Sequence, residues 1–446
     1  MDFIIEPEKK IPVKDTCDLC IVGGSCTGVF AAVRAARLGL SVVLVEQQGL
    51  LGGTAVAGLV NIWHSLNDVD EKEQIIAGLT DETISRLARR DALVRLPNRV
   101  SAYNFNPFAL AVVLDEYIRE NKIKVRLHTR YVALVHREKR VQGVLIEDAD
   151  GRGAIKAPFF IDATGDGRLA RDAGISSYVM PAPQPPTACF LLGGDAGSLR
   201  LGELIQAHGA EFGLDDDWGW SAGFAGIGGV TMRADNHVFG LRLDRADDLT
   251  EAEIEGRRKA DAFVAMLKKY GNGDYHMLGL CSHIGVRETL HYETLYRATT
   301  KDLLCGTRYA NPVMKGSYRI DVHHADDNGI TFQYLDGKAV TVYGKNTRKV
   351  EWNWREKAGL TGESAKYYEL PFDVLVPSEI ENLIPVGRMI HAEEGAFGAL
   401  RVMVNLNQLG EAAGVAASLA VSEGKTVQSL DRSRITRVLR EGGSAL

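Results

Sequence analysis

The stretch from Leu19 to Glu46 constrains this chain more than any other. Leu19 to Val22 is a short apolar run that reads as a buried strand, and Gly23, Gly24, Ser25, Cys26, Thr27 and Gly28 then turn the chain. Val29, Ala32, Val33 and Ala36 recur at helical spacing, Gly39 stops that helix, and Val42 to Val45 reads as a second strand ending at Glu46. Strand, glycine turn, helix and strand in this order make one unit of an α/β layer structure.

The turn has the G-x-x-x-x-G spacing of a dinucleotide fingerprint, with Ser25 where the usual pattern has its middle glycine. Gly23 permits the sharp bend, and Gly28 lets the helix approach the strand. The helix N-terminus offers free backbone N–H groups to a pyrophosphate. Ser25 crowds that approach slightly and adds a hydroxyl. Glu46 stands 18 residues beyond Gly28, where a carboxylate accepts both ribose hydroxyls of an adenosine half and its charge argues against a 2′-phosphate. A purely structural turn would need none of this; the ordered set favours nucleotide binding over a bare glycine match.

Composition narrows the setting. The chain has 446 residues, 45% hydrophobic and 25% charged, with a formal net charge of −6. That balance fits a folded chain of one large or two to three ordinary domains and gives no broad field for gathering phosphodiester backbones, which argues against nucleic acid as a ligand. No apolar run approaches the ~20 residues of a membrane helix, and MDFIIEPEKK is a poor secretory signal, so a cytoplasmic setting is expected. Six cysteines make no disulfide framework. Cys17 and Cys20 form the one C-x-x-C pair, inside a strand and without further ligands, so no metal site is expected.

Further along, Asn106–Pro107 caps a helix whose stripe is Leu110, Val113, Leu114 and Tyr117. Strand-like segments follow near 125–127, 131–136 and 141–146. A third glycine turn, Ala163 to Gly167, follows the strand Phe159 to Asp162. Pro181, Pro183, Pro185 and Pro186 mark an extended connection. Thr250 and Glu253 read as a capping box with Leu249 and Ile254 as its staple, and Asp336-Gly337 reads as a hairpin turn. Leu383 to Val386 is again strand-like. One helical segment is expected from about Gly398 to Val421, with Gly410, Ala413, Gly414 and Ala417 forming a small face suited to close packing on a sheet or a bound ring.

The segments CIVGGSCTG, VVLVE, LLGGTAVAGLVNIW, FFIDATGDGRLARDAG, IGVRET and LIPVGRMIHAEEGAFGALRVMVNLNQLGEAAGVAA together resemble the FAD-dependent oxidoreductases of the glutathione-reductase-like fold. The narrower likeness is to the family with a Gly-Gly-x-x-x-x-Gly segment after the second strand. The resemblance covers nearly the whole chain. It implies an α/β fold in which a Rossmann-like FAD-binding domain is built from both chain ends, residues 1–177 with a small β insertion and 369–446. A mixed α+β substrate or cap domain over 178–368 completes it.

By that resemblance Gly23, Gly24, Ser25, Cys26, Thr27 and Gly28 line the FAD pyrophosphate, and Glu46 and Gln47 the adenosine. Gly52, Gly53 and Thr54 border the flavin side, Val132 the adenine, and Ala163, Gly165 and Asp166 the nucleotide cleft. Gly387 and Arg388 lie near the ribityl chain, and Arg401, Val402, Met403 and Asn405 near the ring. A single fingerprint with no second glycine motif for a nicotinamide domain points the same way, NAD alone being the alternative. A bound flavin holds two electrons between half-reactions.

The expected function is hydride oxidation or reduction of a small organic substrate, with an electron acceptor or donor that the residues do not specify. His64 and His391 are the candidate proton-transfer groups. Arg287 is the candidate substrate anchor through its fork of donors, against an Arg287–Glu288 pair that locks domains together. Arg401 joins the candidate catalytic set beside the ring. His323 and His324 point to opposite faces of a strand, which favours ordinary core or surface roles. Cys26 reads as small-residue packing rather than as a redox thiol, and Cys281 with His283 lacks a third partner. A flavoprotein electron-transfer partner and a non-enzymatic, nucleotide-stabilised assembly subunit are the competing readings.

Overall fold

The computed structural model describes residues 2–64, 66–96, 102–194, 199–217, 219–344 and 348–446. Its organising element is a five-stranded, all-parallel sheet in the order Leu383–Pro385, Phe159–Asp162, Leu19–Val22, Val42–Val45 and Lys124–Arg126. Leu19, Cys20 and Ile21 at its centre have no solvent exposure, as expected of strands covered on both faces. The strand from the chain's end pairs in register with Phe160, Ile161 and Asp162, so the two termini build one sheet.

One face is covered by the helices Cys26–Arg37 and Pro107–Glu120, the latter capped by Asn106 as its sequence requires. The other face packs on the strands Val13–Thr16, Gly151–Lys156, Arg140–Asp148 and Arg130–Arg137. Their Ile155, Ile146 and Val144 meet Cys20, Val22, Val43 and Phe160. The C-x-x-C pair lies in this apolar layer, where burial pushes the Cys17 thiol up to about 11 and the Cys20 thiol well above its ordinary value.

The segment between the sheet's halves carries two further four-stranded sheets. One, with strands Trp220–Phe224, Ile227–Ala234, Phe190–Gly193 and His276–Leu280, packs through Phe190 against Phe263 and Leu267 of the helix Ala246–Tyr270. The other is a meander, Ile320–His323, Gly329–Gln333, Lys338–Tyr343 and Arg348–Asn353, turning at Asp336-Gly337 as expected. Val313, Met314, Ile320, Tyr368 and Phe372 share the apolar core of the parallel sheet's helices, so the later part of this segment is packed onto the first domain.

Three sequence expectations need correction. The Thr250/Glu253 capping box does not form, because the helix starts a turn earlier at Ala246. Thr250 there donates to the Ala246 carbonyl, the Glu253 carboxylate accepts from Ile284 N, and Ile254 is exposed. The last helical segment is broken. Glu394–Leu400 ends, Val402 is extended at φ −66°, ψ 141°, and a second helix runs over Met403–Glu423. At Gly410 and Gly414 its small face packs on a helix instead of a sheet: a Cβ there would sit 2.3 Å from the Thr27 or Ala31 carbonyl oxygen of the first helix.

Candidate active site

The strand ends of the parallel sheet open onto a cavity of about 760 Å³, at the carboxyl edge where ligands of α/β sheets bind. Gly23 (φ +110°) has no room for a Cβ, which would lie 2.2 Å from the Ala163 oxygen. Ser25 caps the helix by accepting from Gly28 N at 3.4 Å. Glu46 is already engaged with the turn: its Oε2 accepts from Gly24 N at 2.6 Å and its Oε1 from Gln48 N at 2.7 Å. A carboxylate oxygen has a second lone pair, so acceptor capacity remains toward the cavity.

The glycine pair is drawn beside this turn. Gly52 N donates to Gly24 O at 2.8 Å, and a Cβ on Gly53 would lie 2.9 Å from that of Ser25. Asp162 shapes the third turn from inside the protein. Its Oδ1 accepts from Thr164 N and Oγ1, and its Oδ2 from Leu169 N at 2.7 Å and Ala170 N at 2.9 Å. Burial raises its carboxyl above the usual range while these four donors oppose the shift. Arg388 pairs with Asp166 across Gly165, where a Cβ would meet the guanidinium.

Of the expected residues, Gly23, Ser25, Cys26, Thr27, Glu46, Gln47, Gly52, Gly53 and Thr54 line this cavity, as do Ala163, Gly165, Asp166, Gly387, Arg388, Arg401, Val402 and Met403. Gly24, Gly28, Val132 and Asn405 stand outside the lining. Thr129, Arg130 and Tyr131, just before Val132, do line it. Asn405 instead spans the helix break, donating to the Ala399 carbonyl at 2.9 Å and to the Tyr368 hydroxyl at 3.2 Å. Cys26 lines the cavity with its thiol pushed up to about 12 by burial, which leaves it unreactive.

The candidate catalytic residues divide. His64 lines the cavity, its ring 5.0 Å from that of Tyr318. His391 does not line it. Its Nδ1 accepts from Thr294 N at 3.1 Å, its ring packs on the edge of Tyr178, and burial lowers its pKa. Arg287 lines the cavity and donates to Pro185 O at 2.6 Å and Thr187 Oγ1 at 2.7 Å, so the proline-marked connection holds it. Its expected alternative partner, Glu288, faces the other way, to His291 Nε2 at 3.0 Å and Gln184 N at 3.0 Å.

The sequence reading gave no site role to a cluster formed by the strand Ile320–His323 and the two residues before it. Tyr318, Arg319, Asp321 and His323 line the cavity together. Asp321 accepts from the Tyr318 hydroxyl at 2.7 Å, lies 3.3 Å from His323 Nε2, and pairs with Arg401 at 3.3 Å. His323 is buried and its pKa is driven well down, first by desolvation and then by Arg287, His237 and Arg401. Its neighbour His324 turns outward to Asp327 and Thr331, as the alternation of a strand predicts. The missed signal was Asp321-x-His323, whose spacing puts both side chains on one face.

The model of the family described as FAD dependent oxidoreductase matches residues 18–439, which takes in the three turns, the cluster and the broken helix. The chain belongs to the FAD-dependent oxidoreductase family. Among similar proteins is the mitochondrial dihydrolipoyl dehydrogenase of Schizosaccharomyces pombe, 26% identical over 213 residues, covering 44% of this chain and 38% of the relative. Another is digeranylgeranylglycerophospholipid reductase 2 of Methanothermobacter thermautotrophicus, 29% identical over 175 residues, 37% of this chain and 44% of the relative. Each alignment spans less than half of the relative's length. A solved structure of a geranylgeranyl bacteriochlorophyll reductase-like protein from Thermoplasma acidophilum superposes at TM-score 0.48, 12% identical, over 96% of this chain and 83% of that one.

For a member of the FAD-dependent oxidoreductases, the residues present fit the cofactor. The cavity floor at Gly23, Gly53 and Gly165 leaves no room for side chains, and the buried Arg388 Nε, Arg401 Nε and Asn407 Oδ1 have no hydrogen-bond partner among the described residues. Such groups are costly to bury unless a ligand or water satisfies them. Among the described residues no helix is long and apolar enough to cross a membrane.

Proposed function

We propose that this protein binds FAD in the two-ended manner of the glutathione-reductase-like flavoproteins and carries out two-electron oxidation or reduction of a small organic molecule. The observation that carries this reading is that both chain ends contribute to one cavity, where Arg388, Arg401 and Asn407 hold buried atoms unsatisfied among the described residues. The Gly23–Gly28 turn would hold the diphosphate, Glu46 the ribose, and Arg388 and Met403 the flavin half. When bound, FAD supplies a two-electron acceptor or donor.

The protein's own residues supply orientation and the proton. Arg287 is fixed by Pro185 and Thr187 and anchors the substrate. The proton that accompanies electron transfer falls to the imidazoles bordering the cavity, His64 and His323; His391 loses that role by position. Asp321 orients His323, as a carboxylate fixes an imidazole's tautomer. The purified protein should be yellow, release FAD on denaturation and bleach anaerobically with one member of a metabolite panel. A colourless protein that fails to take up FAD overturns the reading. Loss of bleaching in His323→Asn or His64→Asn with FAD retained identifies the proton carrier.

A further inference from the structure

The charges in the cavity are not balanced. Three guanidinium groups, those of Arg287, Arg319 and Arg401, border the part of the cavity lined by His323 and Tyr318. Arg401 shares Asp321 with the Tyr318 hydroxyl and His323. Arg319 stacks between aromatic rings, 4.4 Å from the Phe332 centroid and 5.2 Å from that of Tyr318, and forms no ion pair among the described residues. Arg287 touches only neutral acceptors, Pro185 O and Thr187 Oγ1.

The other carboxylates nearby are committed. Glu253 pairs with Arg257 at 3.1 Å and caps Ile284 N. Asp235 pairs with Arg233 at 2.7 Å, and Asp217 holds His237 at 2.6 Å. Among the described residues, even with Asp321 and Asp217 both counted against the three arginines, one positive charge is left over. Burial, followed by repulsion from Arg401, brings the Arg287 guanidinium down to about 10, the response of a cation that lacks a counter-ion.

We propose that Arg287 forms an anion subsite that takes the carboxylate of a small monocarboxylic acid, which makes the substrate class of this oxidoreductase an organic monocarboxylate. A planar two-oxygen anion matches the guanidinium fork, and one carboxylate cancels the leftover charge. His323 is kept neutral by burial and by Arg287 and Arg401, and the negative charge of a bound carboxylate would offset the positive charge the imidazole gains on taking a proton from the substrate. This inference rests on the cavity being the substrate side of a flavin site.

The test uses the FAD-loaded protein and three probe pairs: acetate and acetamide, propanoate and propanamide, benzoate and benzamide. Thermal unfolding and perturbation of the flavin's visible spectrum are followed against probe concentration. At least one carboxylate should raise the Tm saturably and shift the spectrum while its amide does neither. Arg287→Met should weaken that carboxylate tenfold or more. Arg287→Lys retains the charge without the fork and should fall between, which guards against a misfolded Met variant. Equal responses to acid and amide in every pair, or none to any probe with FAD at full occupancy, overturn the subsite. Failure to load FAD is a separate outcome that overturns the flavoprotein reading instead.

Discussion

His323 is held neutral by where it sits: burial disfavours the imidazolium, and Arg287, His237 and Arg401 add repulsion. The unfolded chain has no such penalty and titrates near the ordinary imidazole value, about 6.5. Below that value the unfolded state binds a proton that the folded state refuses, so stability falls as pH falls toward the depressed folded value. His391, also lowered by burial, adds in the same direction. Unfolding free energies from urea titrations run from pH 7.5 down should therefore decline, with a slope approaching about 1.4 kcal/mol per pH unit for each such histidine. His323→Gln should flatten the curve, and an unchanged slope would mean that this ring is not buried neutral. Glu46 is testable by retention of cofactor. Its two oxygens each satisfy a backbone N–H of the first turn, and Glu46→Gln turns one acceptor into a donor facing a donor. A cost of about 1–3 kcal/mol follows. The FAD-to-protein ratio after gel filtration should drop; full retention would remove Glu46 from the site.

The elements differ in how far their sequence alone fixes them. The glycine turn, the first helix and the Asn106-capped helix are local: each signal lies within a few residues of the structure it specifies, and each forms at its expected place. The break between Leu400 and Met403 is not local. Arg401 and Val402 are ordinary helix residues, and the chain leaves the helix there because Asn405 ties Ala399 to Tyr368 from another segment. The Thr250 box fails for the converse reason. Its spacing is right, but Asp247 and Asp248 already place negative charge in an earlier first turn. Asp321 and His323 read as ordinary strand residues, because they and Tyr318 become one cluster only where Arg401, from a distant segment, reaches Asp321. The helix pair Cys26–Arg37 and Met403–Glu423 gives the element-scale prediction. Glycine inside a helix costs about 1 kcal/mol relative to alanine, so a helix that merely tolerated Gly410 and Gly414 would gain from Gly→Ala. Here the added methyl would strike the Thr27 or Ala31 carbonyl, and overpacking of this kind costs roughly 1–3 kcal/mol. Both variants should lower the Tm; a rise in either would mean that the helices stand further apart.

At the scale of the whole molecule, the cavity exists because segments far apart in the chain, 377 residues in the case of Arg34 and Glu411, are stitched together. Strand pairing does part of this, through the register of Leu383–Pro385 on Phe160–Asp162. A buried ion pair does the rest: Arg34 of the first helix donates from Nε to Glu411 Oε2 at 2.6 Å, and Glu411 Oε1 accepts from Leu79 N at 3.1 Å. Three elements thus meet at one carboxylate with only 1% exposure. Removing one partner strands a buried charge, which costs about 3–5 kcal/mol, whereas replacing both by apolar side chains is often close to neutral. Arg34→Met and Glu411→Leu should each lower the unfolding free energy from urea titration by that much and reduce FAD retention, since the helix that begins at Gly28's turn and the one that carries Met403 lose their common anchor. The double variant should recover most of the loss, keeping a deficit of about 1–3 kcal/mol for the stranded Leu79 N–H. Additive losses in the double-mutant cycle would show that the pair is not coupled. The two chain ends would then be held at the cofactor cavity by helix packing and strand register alone.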